Sequence, residues 1–209
     1  LKACRDRGGR VVIINPAREP GLIRFALPKS PKSLIAGGSE IATDYVQPKI
    51  GGDIALLKGI CKSVLEQCAE DREFIVQHTT GFEAFLADIT LTTWSAIEAS
   101  SGIEKKQIHS LGRLYAKSKN AVFAWGMGVT HHQHGVDNVE MIAALALLRG
   151  MIGRPFAGLL PLRGHSNVQG IGTIGVKPVL AKEVFQKIEL AYGVQLPTGK
   201  GMDTLACLE

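Results

Sequence analysis

Apolar residues recur along this chain in two rhythms. Short β-branched or aromatic runs alternate with longer stretches in which apolar positions return every three or four residues. Arg10-Val11-Val12-Ile13-Ile14-Asn15 is the first such run, and Pro16 ends it. It reads as a buried parallel strand. A turn-rich stretch runs on to Gly52, with prolines at 16, 20, 28, 31 and 48. Asp53 then reads as the cap of a helix whose apolar face is Ile54, Leu57, Ile60, Cys61, Val64 and Leu65. Short helices are expected over 71–77 and 81–89, and another from Thr92 or Thr93 to a stop near Gly102. Ser101-Gly102-Ile103-Glu104 has the pattern of a capping box for a helix reaching Ser118. Ala121 to Trp125 reads as a second strand, and Gly126-Met127-Gly128 as the loop that leaves it. A helix over 138–149, a mostly looped stretch over 150–178 and a helix over 181–191 complete the pattern.

Strands alternating with helices predict an α/β fold: an open, mostly parallel, Rossmann-like sheet with helices on both faces. In such sheets ligands gather beyond the carboxyl ends of the strands. Both strands deliver an unusual sequence to that edge, Asn15-Pro16 from one and Gly126-Met127-Gly128 from the other.

Composition sharpens this only in places. Hydrophobic content of 45% and charged content of 21% suit a folded domain. The net charge of +5 lies wholly in residues 1–50, where nine Lys/Arg meet four Asp/Glu. A basic first quarter fits either an anionic partner or a solvated basic face. No aromatic residues interleave the basic ones, which disfavours nucleic acid. No apolar run reaches the ~18 residues of a membrane span. The cysteines at 4, 61, 68 and 207 match neither a zinc nor a ferredoxin spacing. Cys61 and Cys68 read as buried thiols on one helical face, which points to a reducing, cytoplasmic setting. The chain opens at Leu1 as the end of a helix and closes over 205–209 as the start of one, so it reads as the inside of a longer protein.

The richest chemistry lies in Leu162-Arg163-Gly164-His165-Ser166-Asn167-Val168-Gln169-Gly170. Two glycines flank a row of hydrogen-bonding side chains, a composition poor for helix and strand alike. Arg163 offers a planar fork of donors for a carboxylate or phosphate. A polar surface loop is the plain alternative. Gly126-x-Gly128 is a turn, or a place where backbone approaches a ligand closely. Thr130-His131-His132-Gln133-His134-Gly135 gathers three histidines, which raises a metal site as one reading and ordinary loop chemistry as the other.

The 162–170 stretch resembles a loop of formate dehydrogenases in the molybdopterin oxidoreductase family, which reads Arg-Gly-Gln-Asn-Asn-Val-Gln-Gly. Ala124-Trp125-Gly126-Met127-Gly128-Val129-Thr130 resembles a second loop of that family. The segment from Leu145 to Pro155 follows at the family's usual spacing, and weaker resemblance covers nearly the whole chain. The resemblance implies bis-molybdopterin guanine dinucleotide carrying Mo or W. It implies that Asn15, Arg18, Asp53, Gly126, Met127, Gly128, Gly164, Asn167 and Gln169 contact that cofactor. Asp53 would pair with guanine, as the acid of the family's Gly-Thr-Asp triplet does; this chain reads Gly51-Gly52-Asp53. Arg163 would hold the carboxylate of formate or a related small anion, with His165 beside it as the second catalytic position.

His165, Ser166 and the run Ile171-Gly172-Thr173-Ile174-Gly175 depart from the formate dehydrogenase pattern, which points to a less characterised branch of the family. In the family, the Cys or selenocysteine that ligates the metal and a 4Fe-4S motif lie upstream of this stretch. Further domains of the same subunit lie downstream, and an electron-transfer subunit is the implied partner. The resemblance implies an α/β cofactor-binding domain over 1–165 and the start of a neighbouring α/β domain over 166–209. Two other readings stay open: a cofactor-free structural subunit of a redox complex, and a simple nucleotide-binding module.

Overall fold

The computed structural model describes residues 1–28, 30–35, 37–175, 180–199, 202 and 207 of the chain. Of the helix expected over 205–209, only Cys207 is among the described residues, so the rest of it lies outside them. The chain divides into two compact units, Leu1–Leu162 and Arg163–Glu209.

The first unit opens on helix α1 (Lys2–Asp6), followed by strand β1 (Val12–Ile14). The stretch expected to be only turns holds five short elements: α2 (Pro20–Ile23), β2 (Arg24–Phe25), α3 (Pro31–Ile35), β3 (Ser39–Glu40) and β4 (Asp44–Val46). Strand β1 pairs in parallel with β4, Val12 opposite Asp44 and Ile14 opposite Val46. Strands β2 and β3 form an antiparallel pair.

Helix α4 (Asp53–Glu66) is the axis of the unit. Leu57, Ile60, Cys61 and Val64 are buried along it as the spacing predicts, Leu56 joins them, and Ile54 and Leu65 at the edges of the predicted face are only half-buried. Around it come α5 (Arg72–His78), α6 (Phe82–Leu91), α7 (Trp94–Ser101) and α8 (Lys105–Lys117). The Asp71 side chain caps α5 by accepting from the Phe74 N–H at 3.0 Å. Thr93 caps α7 by accepting from Ala96, and Gly102 ends α7 in the left-handed region at φ 72°. The capping box does not form. Ser101 Oγ accepts from the Ile103 N–H at 3.2 Å, and the Lys105 N–H is met by Glu98 instead of a capping side chain. The preceding helix, packed at the junction, supplies the acceptor first.

Strand β5 (Val122–Trp125), helices α9 (Met127–Thr130) and α10 (Gly135–Leu148) and strand β6 (Gly158–Pro161) close the unit. Strands β5 and β6 run parallel, Val122 opposite Gly158. Gly126-Met127-Gly128 is thus not a bare loop: it leads directly into one helical turn. Helix α4 packs against α6, α7, α8 and α10. Their apolar faces form one core with Val46, Ile75 and Met151. Arg149 ties the end of α8 to this core, its guanidinium donating to the carbonyls of Tyr115 (2.8 Å) and Ala116.

Mixed α/β structure with parallel pairing is what the pattern predicts. Among the described residues the strands form three two-stranded sheets, two parallel and one antiparallel, rather than one continuous sheet. No helix of the described residues is long and apolar enough to cross a membrane. Cys61 is buried as expected, but Cys68 is exposed, because the chain has already left α4 and turns at positive φ there. The second unit holds α11 (Val168–Thr173) and α12 (Lys182–Tyr192), so the stretch over 150–178 carries a strand and a helix that its glycines conceal.

Candidate functional site

The parallel pairs place the ends of their strands together, and the loops that leave them carry the candidate residues of the first unit. Asn15 follows β1, and its N–H bonds the Val46 carbonyl at 3.0 Å. Its Oδ1 accepts from the Ala17 N–H at 2.9 Å, and its Nδ2 donates to Glu19 Oε1 at 2.7 Å. This side chain shapes its own turn. Tyr45 pins the same turn: its hydroxyl donates to the Ala17 carbonyl at 2.7 Å and accepts from the Glu19 N–H at 3.1 Å. Arg18 lies over the Tyr45 ring at 5.5 Å and has no carboxylate partner among the described residues. Gln47, just past β4, donates to the Pro16 carbonyl at 3.1 Å, so the two loops meet.

The Gly51-Gly52-Asp53 turn is built by its glycines. Gly51 stands at φ 82°. A Cβ on Gly52 would lie 2.8 Å from the Ser100 carbonyl oxygen and 2.9 Å from Ser101 Cα. The middle position of this triplet therefore admits no side chain here. Gly52, not Asp53, is the N-cap of α4, and Asp53 is the first helical residue with no capping hydrogen bond. The cap expected of Asp53 is absent because its position is already one residue inside the helix. Asp53 is half-buried as a residue, and its carboxylate has no hydrogen-bond or ion-pair partner among the described residues.

Gly126 caps α9, and Cβ atoms built on Gly126 and Gly128 would meet nothing within 4 Å. That ledge is open to a ligand. The buried Asn138 holds it from beneath, donating to the Val129 carbonyl at 3.0 Å. The loop that follows brings His132 over Gly51, with Cε1 3.5 Å from where a Gly51 Cβ would stand. His134 Nδ1 lies 3.4 Å from Asp137 Oδ2. Among the described residues no group of three His, Cys, Asp or Glu is placed to hold a metal.

Much of the positive charge of the first quarter is already matched. Lys2 pairs with Asp6, Arg10 with Asp44, and Arg5 and Arg24 with Glu40. Arg18 remains available to an anion.

In the second unit, Arg163 Nη2 donates to Gln169 Oε1 at 3.0 Å. One corner of the guanidinium is thereby fixed, and its other donors have no partner among the described residues. Asn167 begins α11 in the left-handed region at φ 54°, and its side chain packs against Gly170. Gly164, His165 and Ser166 are exposed. Two contributors were not legible in the sequence. Tyr45 sits in a three-residue strand with little pattern, and the placement of His132 over Gly51 joins positions far apart in the chain.

A family model described as molybdopterin oxidoreductase matches residues 4–194. Protein YdeP of Escherichia coli is 36% identical over 220 residues, covering 100% of this chain and 29% of the relative. Formate dehydrogenase H of Escherichia coli is 36% identical over 140 residues, covering 67% of this chain and 20% of the relative. The chain thus spans less than a third of the length of these curated relatives. Among solved structures, acetylene hydratase from Pelobacter acetylenicus superposes with a TM-score of 0.59 at 17% identity, over 75% of this chain and 19% of that one.

Proposed function

The chain belongs to the molybdopterin oxidoreductase family, and from that premise we propose that it is the cofactor-holding middle of a molybdopterin-dependent oxidoreductase acting on formate or a related small anion. The observation that carries the proposal is the carboxylate of half-buried Asp53, without a partner among the described residues at the head of α4. Its two oxygens match the parallel donors of guanine, N1–H and the 2-amino group. The cofactor that presents such a base in this family is bis-molybdopterin guanine dinucleotide with Mo or W. The residues present fit it: an acceptor pair that lacks donors, a glycine ledge in open space and an arginine that lacks a carboxylate.

When bound, such a cofactor supplies the redox chemistry. The chain's own work is binding and orientation. Asp53 accepts from guanine. Gly126, Met127 and Gly128 present backbone where side chains would occupy the ligand's volume. Asn15 shapes the turn from which Arg18, braced on Tyr45, reaches a pyrophosphate. In the second unit Gly164, Asn167 and Gln169 contact the cofactor.

Arg163 grips the substrate carboxylate with the donors that Gln169 leaves free, and exposed His165 sets which anion is accepted. The remaining domains of the subunit, an upstream 4Fe-4S cluster and an electron-transfer subunit complete the system. The test is turnover of full-length protein with formate and an artificial electron acceptor. Arg163→Lys keeps the charge and loses the fork. It should lower kcat/KM by about a hundredfold or more, the scale of lost positioning and charge stabilisation. Metal content should hold. Loss of metal instead would make Arg163 a cofactor ligand, and unchanged turnover would reduce the stretch to a polar surface loop.

A further inference from the structure

The turn at Gly51-Gly52-Asp53 has a neighbour whose chemistry complements it. His132 lies over Gly51: a Cβ there would stand 3.5 Å from the imidazole Cε1 and 3.8 Å from Nε2. Gly51 stands at φ 82°, a conformation that favours glycine, and the ring lies at ordinary contact distance from it. The other ring nitrogen, Nδ1, accepts from the His134 backbone N–H at 3.5 Å. With Nδ1 in the acceptor role, Nε2 is the ring nitrogen left to donate. The Nε2–H has no hydrogen-bond partner among the described residues, and the ring is half-buried. Two residues beyond Gly51 stands Asp53, a pair of acceptors equally without partners.

Guanine presents three groups in a row on its Watson–Crick edge: the 2-amino donor, the N1–H donor and the O6 acceptor. A carboxylate satisfies the first two and repels the third. A site that reads the whole edge needs one donor beside the carboxylate. We propose that His132 is that donor, giving its Nε2–H to guanine O6 while Asp53 accepts from N1–H and the 2-amino group. The inference rests on the guanine reading of Asp53 and adds a second specificity residue to it. It also gives His132 a role in rejection. A base with an amino group at C6 would set donor against donor, and an unmatched polar pair in a half-buried site is costly.

The test uses cofactor-free full-length protein and three probes: GDP, inosine diphosphate and 6-thio-GDP. Inosine lacks the 2-amino group and reports on Asp53. The thione replaces O6 by a weak acceptor and reports on His132. Wild type should bind GDP about tenfold more tightly than either analogue, the worth of one hydrogen bond at each position. His132→Phe keeps the ring's bulk over Gly51 and loses the donor. It should weaken GDP about tenfold, to the level of 6-thio-GDP, while the preference for GDP over the inosine form persists. His132→Gln, whose amide can donate from a similar reach, should restore much of the preference for O6. Thermal unfolding of the cofactor-free variants should match wild type.

If His132→Phe keeps the preference for GDP over 6-thio-GDP, or wild type shows none, His132 only packs on Gly51 and the proposal fails. If the thione preference behaves as stated but GDP and the inosine form bind alike, His132 reads O6 and the Asp53 reading is the one that fails. No binding of GDP at all overturns both.

Discussion

Asp53 shows how one residue's position separates two roles that composition merges. An aspartate ahead of an apolar helix reads as a cap, yet α4 is capped from Gly52 and the Asp53 side chain makes no capping bond. Its remaining structural contribution is a charge at a helix N-terminus, on the order of 0.3–1 kcal/mol. Asp53→Asn should therefore move the unfolding midpoint of the cofactor-free protein little. It should nevertheless lower the guanine nucleotide retained by the full-length protein, because one of two acceptors becomes a donor. A large loss of stability with normal retention would make Asp53 structural after all. Arg163 was legible as an anion-binding side chain from its type and neighbours. Its pairing with Gln169, six residues on, was not, because hydrogen bonds among exposed side chains leave no periodic trace.

At the scale of elements, long amphipathic helices were legible and short pieces were not. The stripe of α4, the Thr93 start and the Gly102 stop follow from spacing and cap chemistry that act locally. Strand β4 has only three residues, and the pairing with β1 that defines it comes from more than thirty positions earlier. The turn of α9 hides behind glycines that usually mark loops. The spacing of helices is likewise invisible in one sequence. Gly59 of α4 sits where a Cβ would stand 2.8 Å from Ile108 Cγ2 and 2.9 Å from Ile97 Cγ2. Intrinsic propensity alone would favour alanine there by about 1 kcal/mol. Overpacking should reverse that sign, so Gly59→Ala should destabilise by about 1–3 kcal/mol. The denaturant midpoint checks it, and a stabilised variant would mean that α7 and α8 can move apart at no cost.

The first unit has a helical core, and two polar groups on its surface, the Asp53 carboxylate and His132 Nε2, have no hydrogen-bond partner among the described residues. The core has a pH signature. Burial pushes the Cys61 thiol far up, and burial also raises the Tyr115 phenol, with Arg149 partly opposing. The Tyr115 hydroxyl donates to the Leu145 carbonyl at 2.8 Å. In the unfolded chain these groups ionise near ~8.5 and ~10. The unfolded state then sheds protons that the folded state keeps. The contribution of these groups should be constant at neutral pH and fall as pH climbs through that window. Urea midpoints that stay level up to about pH 10.5 would contradict the burial of both groups.

We propose that the ledge at Gly126–Gly128 and the Asp53 carboxylate serve a guanine-bearing molybdopterin cofactor. The most direct measurement is the metal and nucleotide content of full-length protein from a host that makes this cofactor. Mo or W should be bound to the chain, with guanine nucleotide released on acid treatment and depleted in Asp53→Asn. Folded full-length protein from such a host with neither metal nor guanine nucleotide would contradict it.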